Sequence, residues 1–455
     1  MAIEGEGFFM LRAGDTPVFT RAGSFAVDAA SMLVDPSTGY RVQRMGTVGE
    51  SDNFQIPGDS NIKVPYDTLL PARATNDIVL SGNLSADPSV PTAAVLSSGI
   101  QNRYTVGGAA VSSSTLIRDL DQFSGTLGSG DEIRITGTMR DGSSVDAALG
   151  VTDTTTVGDL IAMINSSYTG STATLNDGLI VLTDDVAGYS RTDINISFSG
   201  SASLATPGYF LLTTAGGQAT KSVNATIYNA LGGKHVMTAA LVRTDVPNQW
   251  DLVITSVSGE VMSIDDRRIE GITFNQDGGY VGLTGSFDYT FGIRFRHDPT
   301  RTQEITASLG TAGRYDGLTQ FGGTSTAVIT SQDGFESGKL SSLGITNEGV
   351  IIGTFTNGQK MEIATMAVGL FRNPGGLETM GKGYYISTGN SGDPVVVQGM
   401  SGGAGTIHGG SLERSNVDVA NEFVQMIQAQ NGFQANARTI SVANDILREL
   451  STLIR

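Results

Sequence analysis

The sequence predicts a mainly β, multidomain protein: nested β-domains, a small α+β insertion and a long C-terminal amphipathic α-helix. Three observations predict it. Glycine, at 60 of 455 residues, punctuates short apolar runs in the manner of strands joined by turns. A chain of this length exceeds what one compact core serves, so about two to four domains are expected. The segment 411–455 then changes texture: from Asn416 to Ile454 there is no proline and one glycine, Gly432.

In chain order, Gly5-Glu6-Gly7-Phe8-Phe9-Met10-Leu11 is a glycine turn entering an apolar run, and Ala13-Gly14-Asp15 is a second turn. Phe19-Thr20-Arg21 and Ser24 to Asp28 continue as half-buried strand. Residues 1–90 are expected to be the first part of an inner β-domain. Residues 91–207 are richer in Ser, Thr, Gly and Asp and read as a separate α+β insertion. Two short helices are expected there. Leu116, Leu120 and Phe123 recur at i, i+4 and i+7, and Thr156 with Asp159 forms a capping box ahead of Leu160, Ile161 and Ile164. Glu132 to Thr136 reads as a strand, and Asn176-Asp177-Gly178 between two apolar runs signals a hairpin.

Residues 208–324 read as an outer β-domain. A strand, Ser222 to Tyr228, meets a turn, Leu231 to His235, followed by a strand, Ala239 to Thr244, and the single tryptophan, Trp250. Residues 325–410 close the inner domain, through Asp333-Gly334-Phe335, Gly349 to Gly353, Asn357-Gly358-Gln359 and Asn373 to Leu377.

The final segment reads as one helix from Ser415 to Ile454, about 60 Å long at 1.5 Å per residue. Ala420, Phe423, Ile427, Ala437, Ile440, Ala443, Leu447, Leu450 and Ile454 recur three and four apart, a spacing expected to make one apolar stripe. A helix of this kind gains most of its stability from whatever covers the stripe, and the rest of the chain offers no obvious cover.

Composition excludes several functions. A formal net charge of −17 argues against nucleic acid or an anionic membrane as partner. No run of eighteen apolar residues predicts a transmembrane helix, and no basic start with an apolar stretch predicts a cleavable secretory signal. Without cysteine there is no disulfide framework, thiolate metal site or cysteine nucleophile.

Candidate chemistry is weak. Gly376 to Lys382 fits the first seven positions of a phosphate-binding loop, but Gly383 stands where Ser or Thr should reach Mg²⁺ and strand-like Tyr384-Tyr385-Ile386 follows. His235, His297 and His408 have no metal-ligand spacing, and His235 is expected in a turn. The pairs Asp184-Asp185 and Asp265-Asp266 read as solvated loop charges. No Gly-x-Ser-x-Gly elbow stands in a strand–helix context. No catalytic residue, metal or cofactor is expected, and the chain does not read as an enzyme.

Several motifs carry a resemblance. Leu412-Glu413-Arg414-Ser415-Asn416-Val417-Asp418-Val419-Ala420, Glu422-Phe423, Met426 to Gln430 and Phe433-Gln434-Ala435-Asn436-Ala437-Arg438 resemble the C-terminal signature of bacterial flagellar axial proteins, the family of rod, hook and hook-associated proteins. Gly7-Phe8-Phe9, Thr20-Arg21-Ala22-Gly23-Ser24-Phe25, Pro71 to Thr75 and Gly82-Asn83-Leu84 resemble its N-terminal domain. The Phe-Gln-Ala-Asn-Ala-Arg run and the length of 91–324 are most similar to hook members. The likeness covers about residues 1–90 and 220–455, and implies a long starting helix that this sequence lacks.

The resemblance implies a structural subunit of the flagellar hook: a helical homopolymer that transmits torque from rod to filament, exported through the type III apparatus without a cleaved signal. Implied partners are identical subunits, the rod, the hook cap and the hook–filament junction proteins. Implied assembly residues are Leu412, Asn416, Val417, Ala420, Phe423, Ile427, Phe433, Ala437, Ile440, Leu447, Leu450 and Ile454. Alternatives are a distal-rod or hook-associated protein, or a secreted β-rich adhesin or glycan-binding module.

Overall fold

In the computed structural model, residues 1–66, 68–285, 288–414 and 417–453 are described, Leu453 by its backbone alone. They divide into two compact units, Met1–Thr68 with Leu340–Arg455, and Leu69–Lys339. The fold is mainly β, with two α-helices among the described residues: α1 (Val157–Ser167) and α2 (Val419–Leu453).

The first unit is built from both ends of its sequence. Phe8–Ala13 and Thr16–Thr20 form an antiparallel hairpin in which Phe9 faces Thr20 and Ala13 faces Thr16. Tyr384–Ile386 adds to the second strand and Val368–Leu370 to the first. Ala2–Glu4 pairs with Thr406–His408. Phe9, Leu11, Val18 and Phe19 are buried, and Phe371 packs edge-on against Phe19 at 4.8 Å and Phe8 at 6.0 Å. A second sheet packs Lys360–Met366 against Val350–Phe355, whose other edge takes residues 340–345.

Two polar groups hold the irregular parts of this unit. The Arg44 side chain is buried and donates to the carbonyls of Gly46 (2.5 Å), Asp59 (2.8 Å) and Ile56 (3.2 Å) and to the Glu50 carboxylate, which closes the loop between residues 46 and 59. Asp35 accepts from the Ser37 N–H (2.8 Å), the Ser37 hydroxyl (2.7 Å) and the Tyr384 hydroxyl. Burial pushes the Asp35 carboxyl up, but the Tyr384 and Ser37 donors outweigh it and hold it below its ordinary value.

In the second unit a five-stranded antiparallel sheet runs in the order Thr220–Tyr228, Lys234–Arg243, Gln249–Val257, Arg268–Phe274, Tyr280–Leu283. Strand residues alternate between faces, and here both faces are covered. Ala239, Leu241, Trp250, Leu252 and Ile254 enter one core, shared with Ile78, Leu80, Phe291, Ile293 and Ile305. Ala240, Val242 and Val253 enter another, shared with Leu96, Ile133, Leu160, Ile180 and Ile194. Asp251, also on that second side, is almost fully buried. It accepts from the Gly271 N–H (2.9 Å), Arg268 (3.1 Å) and the Tyr189 hydroxyl (2.5 Å), while Arg268 also donates to the Ser190 carbonyl (3.0 Å).

Local signals in residues 91–215 fare unevenly. The capping box forms: the Asp159 N–H donates to Thr156 Oγ1 at 3.1 Å and the Thr156 N–H to the Asp159 carboxylate at 2.8 Å. Leu160 and Ile164 of α1 are buried. The hairpin also forms, with Asn176 facing Leu179 across Asp177 (φ 50°) and Gly178 (φ 75°), the left-handed pair that a two-residue hairpin turn requires.

The helix expected over Leu116, Leu120 and Phe123 does not form. Ile117–Asp119 is one 3₁₀ turn, flanked by extended Leu116 and Leu120. Distant segments claim the backbone instead: the Ile117 N–H donates to the Thr155 carbonyl, in the loop before α1 (2.9 Å), and the Asp121 N–H to that of Thr105, in the strand Thr105–Val106 (2.8 Å).

His235 lies in the strand Lys234–Arg243 and not in the expected turn. It is buried, with Nδ1 at 2.7 Å from the Ser258 carbonyl and Nε2 at 2.9 Å from the Asn229 amide. Asp184 is likewise no solvated loop charge. It is buried at the end of Leu179–Asp184, where it accepts from the Ser171 (2.8 Å) and Thr192 (2.7 Å) hydroxyls. Asp265 and Asp266 end the strand Val261–Asp266, and Asp265 is paired with Arg294 at 2.6 Å.

Two outcomes follow from these buried carboxylates. Asp251→Ala strands Arg268 and Tyr189 and should destabilise the second unit by about 3–5 kcal/mol, read from the urea midpoint of the buried Trp250's fluorescence. Tyr384→Phe should cost the first unit about 1.5–3 kcal/mol near neutral pH. Because Asp35 is depressed in the folded state, its contribution is present above the unfolded carboxylate's value, about 3.9, and is lost as pH falls through the folded one. The difference between wild type and Tyr384→Phe in calorimetric melts should therefore shrink below about pH 4.

Candidate assembly surface

Asp418 starts α2. Its carboxylate accepts from the N–H groups of Ala420 (2.9 Å) and Asn421 (3.4 Å), satisfying two of the first-turn donors. The helix begins at Val419; the expected start, Ser415, lies outside the described residues. Leu412 and Val417 precede it, and Asn416 and Ile454 lie outside the described residues. Every residue of α2 whose side chain is described is exposed.

The expected single stripe is not one line on a straight helix. Phe423 and Leu450 are 27 residues apart, about seven and a half turns, and so face opposite ways. A cleaner row runs at seven-residue intervals through Val419, Met426, Phe433, Ile440 and Leu447. These are 55 to 76% exposed. Such a row drifts by about 20° per heptad and favours a left-handed wrap around a partner. Phe423 and Ala437 flank it on one side and Leu450 on the other, with Ala420 and Ile427 further round. Val419 and Met426 stand in the C-terminal motif but are not among the expected assembly residues, although the seven-residue spacing from Phe433 could have found them.

Val424 and Val442 lie nine residues on either side of Phe433, two and a half turns, and so stand on the opposite side of the helix. Both are about half exposed. Charge is sparse: Glu422, Arg438, Asp445, Arg448 and Glu449 are the only charged side chains in the 35 residues of α2. With three acidic and two basic groups, the helix has a net charge of −1. An apolar helix accessible from two sides and carrying almost no net charge can be gripped by more than one neighbour without like-charge repulsion.

The other candidate sites of the sequence do not assemble among the described residues. Gly376 closes a 3₁₀ turn, Glu378–Gly381 is a strand, and no helix follows Lys382, so no helix N–H groups point at a phosphate there. His408 donates to Glu4 at 3.0 Å, and His297 stacks beside Phe295 at 5.9 Å. Among the described residues no group of three or more His, Asp and Glu could hold a metal ion, and no helix is long and apolar enough to cross a membrane.

Three family models match this chain. They are the flagellar hook protein FlgE/F/G D1 domain over residues 2–78, the flagellar basal body protein FlaE D2 domain over 206–335, and the flagellar basal body rod FlgEFG protein C-terminal over 408–453. The flagellar hook protein FlgE of Borreliella burgdorferi is 32% identical over 244 residues, 51% of this chain and 54% of that one. That of Treponema pallidum is 26% identical over 459 residues, 100% of this chain and 80% of that one. The match to the Borreliella protein spans about half that relative's length.

Among solved structures, Helicobacter pylori flagellar hook protein FlgE2 superposes with a TM-score of 0.47 at 18% identity, over 91% of this chain and 98% of that one. So loose a superposition establishes nothing about fold. The sequence matches fall on both terminal motifs and on the two-faced sheet, and over those segments they support a flagellar hook protein.

Proposed function

We propose that this chain is a structural subunit of the bacterial flagellar hook, polymerising with identical copies into the flexible tube that passes torque from rod to filament. The observation that carries this is α2. Its apolar row, together with Val424 and Val442 opposite, is exposed along its whole length in the single chain, and the C-terminal family match coincides with it at 408–453. A helix of 35 residues that leaves so many large apolar side chains in water calls for partners. Identical copies suit it because its own net charge is close to zero.

In this reading residues 1–90 and 325–410 form the inner domain, 91–207 and 208–324 the outer ones, and 411–455 the assembly helix. The helices pack into an inner tube, and the glycine-rich outer domains slide over those of neighbouring subunits as the hook bends. Leu412, Asn416 and Ile454 join the interface beside the helical residues. The ends of the polymer meet the rod, the hook cap and the hook–filament junction proteins, and subunits reach them through the type III apparatus. No catalytic role belongs to this function.

Ile440→Asn and Leu447→Gln replace exposed apolar groups and should leave the subunit's melting within about 0.5 kcal/mol of wild type. The same pair should abolish hooks in cells whose own copy of the gene is deleted. Electron microscopy of basal bodies from those cells reads the result. Hookless basal bodies rescued by the wild type, and not by the substituted chain or one lacking 412–455, bear the proposal out. Normal hooks in the deletion strain sink it.

A further inference from the structure

Two sequence motifs far apart in the chain meet at one side chain of the first unit. Arg21, from the Thr-Arg-Ala-Gly-Ser-Phe motif, faces Glu413, from the Leu-Glu-Arg-Ser-Asn motif that leads toward α2. Nε donates to Glu413 Oε2 at 3.0 Å and Nη2 to Oε1 at 3.3 Å, a two-pronged carboxylate contact. The remaining donors go to backbone carbonyls: Nη1 to Gly5 at 2.6 Å and Gly7 at 2.8 Å, and Nη2 to Ile3 at 3.2 Å. A guanidinium has five N–H donors in a fixed fork, and here each has an acceptor. The Phe8 ring lies 5.6 Å from the guanidinium carbon and covers it from one side.

The three carbonyls are held in place independently of Arg21. A Cβ on Gly5 would sit 2.4 Å from the Gly405 Cα, and one on Gly7 would sit 2.4 Å from Val368 Cγ1 and 2.6 Å from the Ala404 carbonyl oxygen. The Gly5-Glu6-Gly7 segment is therefore pressed against residues 404–405 in a way only glycine permits. Ala2–Glu4, just before it, is paired with Thr406–His408. The guanidinium thus stands on a rigid ring of acceptors and presents its free edge to the segment that leaves the β-body.

We propose that Arg21 and Glu413 form a pin that fixes where the chain leaves the β-sheets of the first unit on its way to α2, giving every subunit the same starting point for its assembly helix. This rests on α2 as the assembly element. Glu413 stands six residues before Val419, so the pin acts at the root of the helix and not on its packing face. Arg21 is a positioning residue: its charge alone does not suffice, because lysine has three donors radiating from one atom and cannot serve these five acceptor directions.

The chain has no cysteine, so two spin labels can be placed cleanly, at Glu378→Cys on an exposed strand and at Arg414→Cys beside the pin. Pulsed dipolar spectroscopy on dilute full-length subunits should give one narrow distance distribution. Glu413→Ala should at least double its width while leaving the calorimetric melt unchanged, since Glu413 is exposed; Arg21→Lys should broaden it likewise. Unchanged width in Glu413→Ala, a distribution already broad in the wild type, or full retention of the narrow distance by Arg21→Lys would each overturn the pin. The labels read the isolated subunit, so a failure of polymerisation in cells is scored separately and leaves this result standing.

Discussion

The structure depends on a sheet that must be closed by residues more than 340 positions apart. Phe8–Ala13 and Thr16–Thr20 bury Phe9, Leu11, Val18 and Phe19; Arg41–Val42 takes part of the first strand's outer edge, and Val368–Leu370 and Tyr384–Ile386 complete the two edges. An unpaired strand edge exposes N–H and C=O groups and invites other chains. Closing it within the chain removes that hazard, and brings the start of the sequence beside the segment that leads to α2. The Ala2–Glu4 pairing and the Arg21 contacts both follow from that closure. Pairings of such sequence separation demand a large loop-closure entropy before any contact forms, so this unit is expected to complete late in folding.

The second unit answers a different constraint. A sheet with apolar residues on both faces must be covered twice. In Gln249–Val257 the alternation sends Trp250, Leu252 and Ile254 one way and Asp251 and Val253 the other. The insertion is thus one wall of a double-walled sheet and not an appendage. Asp251 is the exception that needs explanation, and its three donors supply it. A carboxylate at that depth is tolerable only when its oxygens are satisfied, and Arg268 compensates its charge.

The sequence was legible where structure is decided within a few residues. Thr156 and Asp159 start α1 because each satisfies the other's backbone, and Asp177-Gly178 turns because those two residue types accept left-handed dihedrals. It misled where identical spacing had two uses. Leu116, Leu120 and Phe123 have helical spacing, yet between them the Ile117 and Asp121 N–H groups found acceptors in distant segments, at Thr155 and Thr105. Asp184 and His235 looked like surface groups because a sequence does not show the hydroxyls, amide and carbonyl that fold around them. Arg44 gave no signal at all, since the carbonyls it gathers carry no side-chain signature.

The long helix shows the same division. Its existence, approximate length and lack of charge followed from the absence of proline, the single glycine and the recurrence of apolar residues. Which of those residues align along its length needed the pitch of an actual helix, on which Phe423 and Leu450 part company while Val419, Met426, Phe433, Ile440 and Leu447 fall into a row. By itself, then, the sequence determined the mainly β class, several local turns and caps, and a long C-terminal helix with few charges. Tertiary structure alone decided which strands pair, which polar groups are buried, and that Arg21 and Glu413 meet. The reason is physical: periodicity and caps are properties of neighbouring residues, whereas backbone hydrogen bonds in a sheet and compensation of buried charge are settled by groups any distance away along the chain.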